Sequence, residues 1–246
     1  MIFQAGTSEQ GRHLAGQIAE GIYTHIASIE DGVEFGADIR ARAVAAGRNP
    51  QHVKIFPGAR PVLASTDDAA QQLAHDIWEF DNDFASKLGQ FARPFGGFDF
   101  AALDPDAPFP DLGDLGDNSR AGSVSLIKKT ARDEGLTLRQ TVDRFTAFTP
   151  NPYAGTPKTV ADAFERGFLA GAYDGLNLSF RVSDDLDAFA ADVVPILQRK
   201  GIYRTDYTAS TLRGHLGLPV PENRYAAARR RAEEAIHAEP ELQEIA

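Results

Sequence analysis

The stretch "IFQAGTSEQGRHLAGQIAEGIYTHIA" (2–27) decides the fold. Ile2–Ala5 is an apolar run that reads as a short strand, Gly6 makes a bend, and a helix follows at once. Thr7 stands where a helix cap belongs, and Gln10 three residues on would complete a T-x-x-Q capping box. Leu14, Ala15, Ile18 and Ala19 recur at helical spacing, which predicts the buried stripe of that helix. Gly21 ends it, and residues 21–27 contain a second short apolar strand. A strand, a helix and another strand so closely spaced predict adjacent parallel strands joined by a helical crossover.

The same rhythm continues outward. Glu30 to Ala46 reads as a helix stopped by "GRNP" (47–50), and a third strand runs from Val53 to Ala64, bent or bulged at Pro57 and Pro61. A helix begins at Thr66, with Asp67 and Asp68 suiting the positive end of its dipole. From 81 to 122 the texture changes to Gly, Pro, Asp and Phe without a sustained period. That segment is too aromatic for a disordered linker, and predicts a long ordered excursion with its phenylalanines packed on the main body.

Helices follow at about 123–134 and 137–148, the second capped by Thr137 and Gln140 with Leu138, Val142 and Phe145 inward. Thr156 caps the next helix with Pro157 at its first position; Val160, Phe164 and Phe168 form its buried face. Gly171 and Gly175 close it before a fourth strand at 176–180. A helix at 184–200, an irregular arm and a last helix at about 222–238 complete the chain.

A complete (β/α)8 barrel needs eight strands, and only four strand-like segments are present. The prediction is therefore an α/β fold equivalent to the C-terminal half of a TIM-type barrel. It has about four parallel strands and a long helical and loop insertion (about 81–154) before the last. Residues 1–219 form the partial barrel domain and 220–246 a helical tail.

Composition narrows function mainly by exclusion. Among 246 residues, 25 Lys and Arg stand against 35 Asp and Glu, a net charge of −10. That argues against nucleic acid or an anionic membrane as the main partner. Arg229, Arg230 and Arg231 lie beside Glu233 and Glu234 and read as a solvated helix face. Cysteine is absent, which excludes disulfides, thiolate metal sites and a cysteine nucleophile. No run approaches the ~18 apolar residues needed to cross a bilayer, and a cytoplasmic location is the expectation. Nucleotide-loop and zinc-protease motifs are missing, and the acidic run at 111–118 lacks calcium-loop spacing. Trp78, the single tryptophan, reads as core, and His75 as a surface residue.

One turn carries a specific chemical expectation. A strand ending in Ala5-Gly6 leaves the backbone open to close approach, and Thr7 and Ser8 add two hydroxyls at a helix start. Free N–H groups and the positive dipole end converge there, the ordinary requirements for a phosphate. A plain capping box satisfies the same pattern. His25, just past the second strand, is placed to line a pocket at the same end; His13 and His215 read as an exposed helix residue and a structural or interface residue.

At "QAGTSEQG" (4–11) the chain resembles the luciferase-like flavin monooxygenases. The nearest group is the large subunits of two-component systems of the nitrilotriacetate, dibenzothiophene-sulfone and pristinamycin types. "VKIFPGARPVLASTDDAA" (53–70), "GLTLRQ" (135–140), "GTPKTVADAFERGFLAGAYDGLNLSF" (155–180) and the block 184–219 match in the same order. The resemblance implies an oxygenase component that uses FMN, reduced by a separate NAD(P)H:flavin reductase, with O2 and a small organic substrate, and that forms a homo-oligomer. It implies that Ala5, Gly6, Thr7 and Ser8 hold the FMN phosphate. It also implies that residues 2–11 match an interior strand of a subunit about twice as long, so that this chain would be truncated and inactive alone. The alternative is a non-catalytic half-barrel remnant serving as a binding or assembly module. Relatives carry a Gly-His-Arg-like stretch near the substrate just before the "GTPKTVAD" match, where this chain has Asn151 and Tyr153.

Overall fold

Strand β1 (Phe3–Ala5) runs into the turn at Gly6 and then helix α1 (Glu9–Ile18). The computed structural model describes residues 1–115 and 123–238; the acidic run beyond 115 and the tail beyond 238 lie outside the described residues. Strand β2 (Gly21–Thr24), helix α2 (Ile29–Ala45) and strand β3 (Lys54–Ala59) follow. Beyond them come β4 (Val62–Leu63), α3 (Asp67–Asp81), α4 (Phe84–Ala92), α5 (Ser123–Glu134) and α6 (Leu138–Phe145). The last part holds β5 (Ala154–Gly155), α7 (Pro157–Leu169), β6 (Asn177–Leu178), α8 (Ser183–Ala188), a π-helical turn at Phe189–Val193, α9 (Val194–Arg199), α10 (Leu212–His215) and α11 (Arg224–Ala238).

The chain forms two compact units. One comprises Met1–Ala59, Arg166–Leu178 and the residues from Leu197 onward; the other comprises Arg60–Glu165 and Ser179–Ile196.

The first unit is an α/β layer built on a four-stranded parallel sheet in the order β1-β2-β3-β6. Phe3 pairs with Gly21, Ile22 with Ile55 and Gly58 with Asn177. One face of the sheet carries Ile22 and Ile55, which join Ala15, Ala19, Phe35, Ile39, Ala43 and Val53 in a fully buried core under α1 and α2. The other face carries aromatic rings set against glycines: a Cβ on Gly21 would fall 2.4 Å from the Phe3 ring, and one on Gly175 3.0 Å from Phe56. Asp174 ties the crossover into β6 to β3, its Oδ2 accepting from Ile55 N–H at 2.8 Å and from Arg40 at 3.0 Å.

Two expectations for α1 change. Its stripe is rotated, so that Ala15, Gly16 and Ala19 are buried while Leu14 and Ile18 are more than two-fifths exposed. The cause is close approach: a Cβ on Gly16 would lie 2.5 Å from Arg42 Cβ, so only small residues fit between α1 and α2. The cap is Ser8, accepting from Gly11 N–H at 3.1 Å, and not Thr7, because the turn consumes one more residue. Arg48 then closes the far end of α1, donating to the carbonyls of Gly16 and Ala19 at 2.7 and 2.6 Å.

The second unit departs further from expectation. The strand expected over 53–64 is broken: β3 ends at Ala59, Pro61 supplies no N–H, and Val62–Leu63 pair instead with Ala154–Gly155 as a separate parallel pair. The phenylalanines of the excursion build a core of their own. Phe91, Phe95, Phe100 and Phe109 interlock at centroid distances of 5.2–6.5 Å, mostly edge-on or tilted, and pack with Leu88, Val124, Ile127, Leu138 and Val142. The Thr137–Gln140 capping box forms as expected. In the first unit, Phe168, expected inside, is 40% exposed.

Candidate functional site

The turn between β1 and α1 brings its four marked residues together. Gly6 has φ +139°, a conformation that side-chain-bearing residues rarely adopt. It therefore serves the turn as glycine alone can. Ser8 sits in extended backbone with its hydroxyl oxygen taken by Gly11 N–H, which leaves the hydroxyl proton available to donate. The N–H groups of Ser8, Glu9 and Gln10 make no hydrogen bond among the described residues. These are the orphan donors of a helix start, aimed at one spot with the dipole behind them.

Charges around the turn are arranged to hold it. Arg12 Nε donates to the Thr7 carbonyl at 3.0 Å, its Nη1 donates to Asp38 at 3.1 Å, and its guanidinium lies 5.1 Å from the Phe35 ring centroid. Glu9, which would repel a bound anion, is neutralised by Arg42 at 2.8 and 3.1 Å. The hydrogen bond from Arg42 pulls the Glu9 carboxyl below its ordinary value. At Asp38 burial acts to raise the carboxyl, but hydrogen bonds from Arg42 and Arg12 outweigh it and lower the net value.

A cavity of about 280 Å³ adjoins the turn, lined by Thr7, Arg12, His25, Asp31, Glu34 and Phe35 among others. His25 thus shares a cavity with Thr7. His13 lies outside it on the exposed face of α1, bonded to Gln17 at 3.1 Å, and the His215 ring is tilted against Tyr207 at 4.8 Å between centroids. Beside the turn, Gln4 Nε2 donates to Ala5 O at 2.8 Å while its Oε1 is buried with no hydrogen-bond partner among the described residues.

Sequence reasoning passed over Gln4, Arg12 and Arg42. Arg12 is four residues past Ser8 and faces the turn one helical turn away, a spacing that could have marked it. Arg42 arrives from another helix, and no local pattern signals it.

A parallel α/β sheet with free backbone donors at the helix start that follows a strand defines a class of α/β proteins suited to anionic ligands. Within that class the likeness is specific. The profile of the luciferase-like monooxygenase family matches residues 2–173, and the chain belongs to that family. Nitrilotriacetate monooxygenase component A of Aminobacter aminovorans is 36% identical over 92% of this chain and 50% of its own length. Dibenzothiophene-sulfone monooxygenase of Rhodococcus erythropolis is 34% identical over 90% of this chain and 49% of its own. A solved riboflavin lyase, holding a modified FMN and riboflavin, superposes with a TM-score of 0.65 at 29% identity over 89% of this chain and 47% of that one. The chain spans about half the length of the curated relatives it matches.

Proposed function

We propose that this chain supplies the phosphate-gripping half of the flavin site in the oxygenase component of a two-component FMN-dependent monooxygenase. The observation that carries the reading is the turn itself: a positive-φ glycine, three N–H groups without a partner among the described residues and a serine proton lie together at the start of α1. Those donors fit a phosphate dianion, since the one acidic side chain in the first turn of α1 is already paired with Arg42. In this reading the four parallel strands correspond to the last four of an eight-stranded barrel.

Ala5 and Gly6 admit the phosphate to the backbone, and Thr7 and Ser8 orient it. Arg12 fixes the turn through the Thr7 carbonyl, and His25 lines the adjoining cavity. Bound reduced FMN would supply the activation of O2. A separate NAD(P)H:flavin reductase, a small organic substrate and O2 are the partners this activity requires. We place the protein in the cytoplasm as a homo-oligomer.

Equilibrium dialysis with FMN and riboflavin tests the reading. FMN should bind detectably but more weakly than ~100 µM, because the turn grips one end of the molecule only. Riboflavin, without the phosphate, should bind at least about tenfold more weakly. Equal affinity for the two would overturn the assignment. The chain alone, given reductase, NADH and FMN, should oxygenate no substrate.

A further inference from the structure

The second unit contains a cavity of about 360 Å³ whose lining includes Arg60, Val62, Ile77, Trp78, Asp81 and Phe148. Its walls are mixed in a particular way. Val62, Ile77, Trp78 and Phe148 present apolar surface, with Trp78 and Phe148 edge-on at 5.8 Å. Two asparagines on the lining are fully occupied with structure. Asn82 donates to Trp78 O at 2.8 Å and accepts from Gln90 at 2.5 Å, while Asn151 donates to Arg60 O at 2.8 Å and accepts from Tyr153 N–H at 2.9 Å.

The charges do not cancel. Both oxygens of Asp81 lie 2.8 Å from Arg181 Nη1, which satisfies that carboxylate. Arg60, with a mostly exposed side chain, makes only a long ion pair to the same Asp81 at 3.8 Å, so two guanidinium groups share one carboxylate. The Trp78 indole N–H also makes no hydrogen bond among them. Lys87 lies over the Trp78 ring at 4.9 Å but is committed to Asp143 at 3.0 Å. The site therefore offers a net positive charge, carried by a guanidinium held only by a long, shared ion pair, together with an indole donor that has no partner among the described residues and an apolar wall.

We infer that this cavity binds a small organic anion, a carboxylate on a compact apolar body. The carboxylate pairs with Arg60, whose planar fork matches two oxygens, and the body lies against Trp78 and Phe148. The site concerns binding alone and stands whether or not the β1–α1 turn holds a flavin.

Because Trp78 is the single tryptophan, its emission reports on this cavity directly. Cyclohexanecarboxylate added to the full chain should change that emission saturably, at roughly millimolar concentration. The neutral isostere cyclohexanecarboxamide should bind about tenfold more weakly. Arg60→Gln should abolish the preference for the acid, and Asp81→Asn, which removes the competing carboxylate, should tighten acid binding about threefold. The inference is overturned by an unsaturable or absent response to the acid, by equal binding of acid and amide, or by an unchanged preference in Arg60→Gln. If Arg60→Gln fails to fold, Asp81→Asn decides: acid binding that is unchanged or weaker overturns it equally. FMN titrations read a different site, so a failure here leaves the flavin proposal where it stood.

Discussion

Replacing Ser8 with alanine removes two interactions through one atom. The hydroxyl oxygen caps α1 by accepting Gly11 N–H at 3.1 Å, so its loss should cost about 1 kcal/mol of stability. The hydroxyl proton is the donor assigned to a phosphate oxygen, and a charge-assisted bond of that kind contributes about 1.5–3 kcal/mol. Affinity for FMN should therefore fall by roughly ten- to a hundredfold. Ser8→Asp separates the effects. Aspartate caps a helix about as well as serine, so stability should stay within about 0.5 kcal/mol of the parent. Its carboxylate would face the phosphate, and FMN affinity should fall at least as far as in Ser8→Ala. Urea unfolding followed by circular dichroism reads the first quantity, and equilibrium dialysis the second. If Ser8→Asp unfolds as early as Ser8→Ala, the cap is misassigned; if it binds FMN as the parent does, no phosphate sits at that hydroxyl.

Two further outcomes follow from the packing and the charges. Gly16→Ala places a Cβ 2.5 Å from Arg42 Cβ and should lower stability by about 1–3 kcal/mol, whereas Gly89→Ala, with nothing within 4 Å, should raise it by about 0.5–1 kcal/mol; urea midpoints of equal sign would refute the packing at Gly16. Glu20 is lowered from its ordinary 4.5, chiefly by the hydrogen bond from Arg213, with Ile2 N–H assisting at 3.0 Å. A depressed carboxyl contributes stability that is fully present above 4.5 and lost as pH falls through the folded value. Arg213→Met should therefore lower the urea midpoint at neutral pH and do so progressively less in acid, and a pH-independent difference would contradict the pairing.

The parallel sheet was legible because its signals are local: Ile22 and Ile55 sit in runs bounded by glycine and proline, and Thr66 and Thr137 each cap the helix that follows. The face of α1 was not. Leu14 and Ile18 have the spacing of a buried stripe, yet the neighbour across Gly16 is a helix so close that alanine and glycine win the contact. The two-residue pair β4–β5 joins positions some ninety residues apart, and no periodicity reports a strand that short. The excursion's phenylalanines announced burial but not against what; their partners on α5 and α6 are set by tertiary structure. At the candidate site the glycine and hydroxyls were readable from "AGTS" (5–8), while Arg42's role depends on a contact between residues 33 apart. Trp78 and His75 were misread for the same reason. Trp78 lines a cavity, and His75 is half-buried against Phe148 at 5.0 Å.

The central claim is that a phosphate is held by backbone donors at the start of α1, and amide-resolved NMR tests it most directly. Titrating the isotope-labelled chain with FMN should move the Ser8, Glu9 and Gln10 amide resonances together, and riboflavin should leave them in place. Shifts confined to other residues, or identical shifts with riboflavin, would contradict the account.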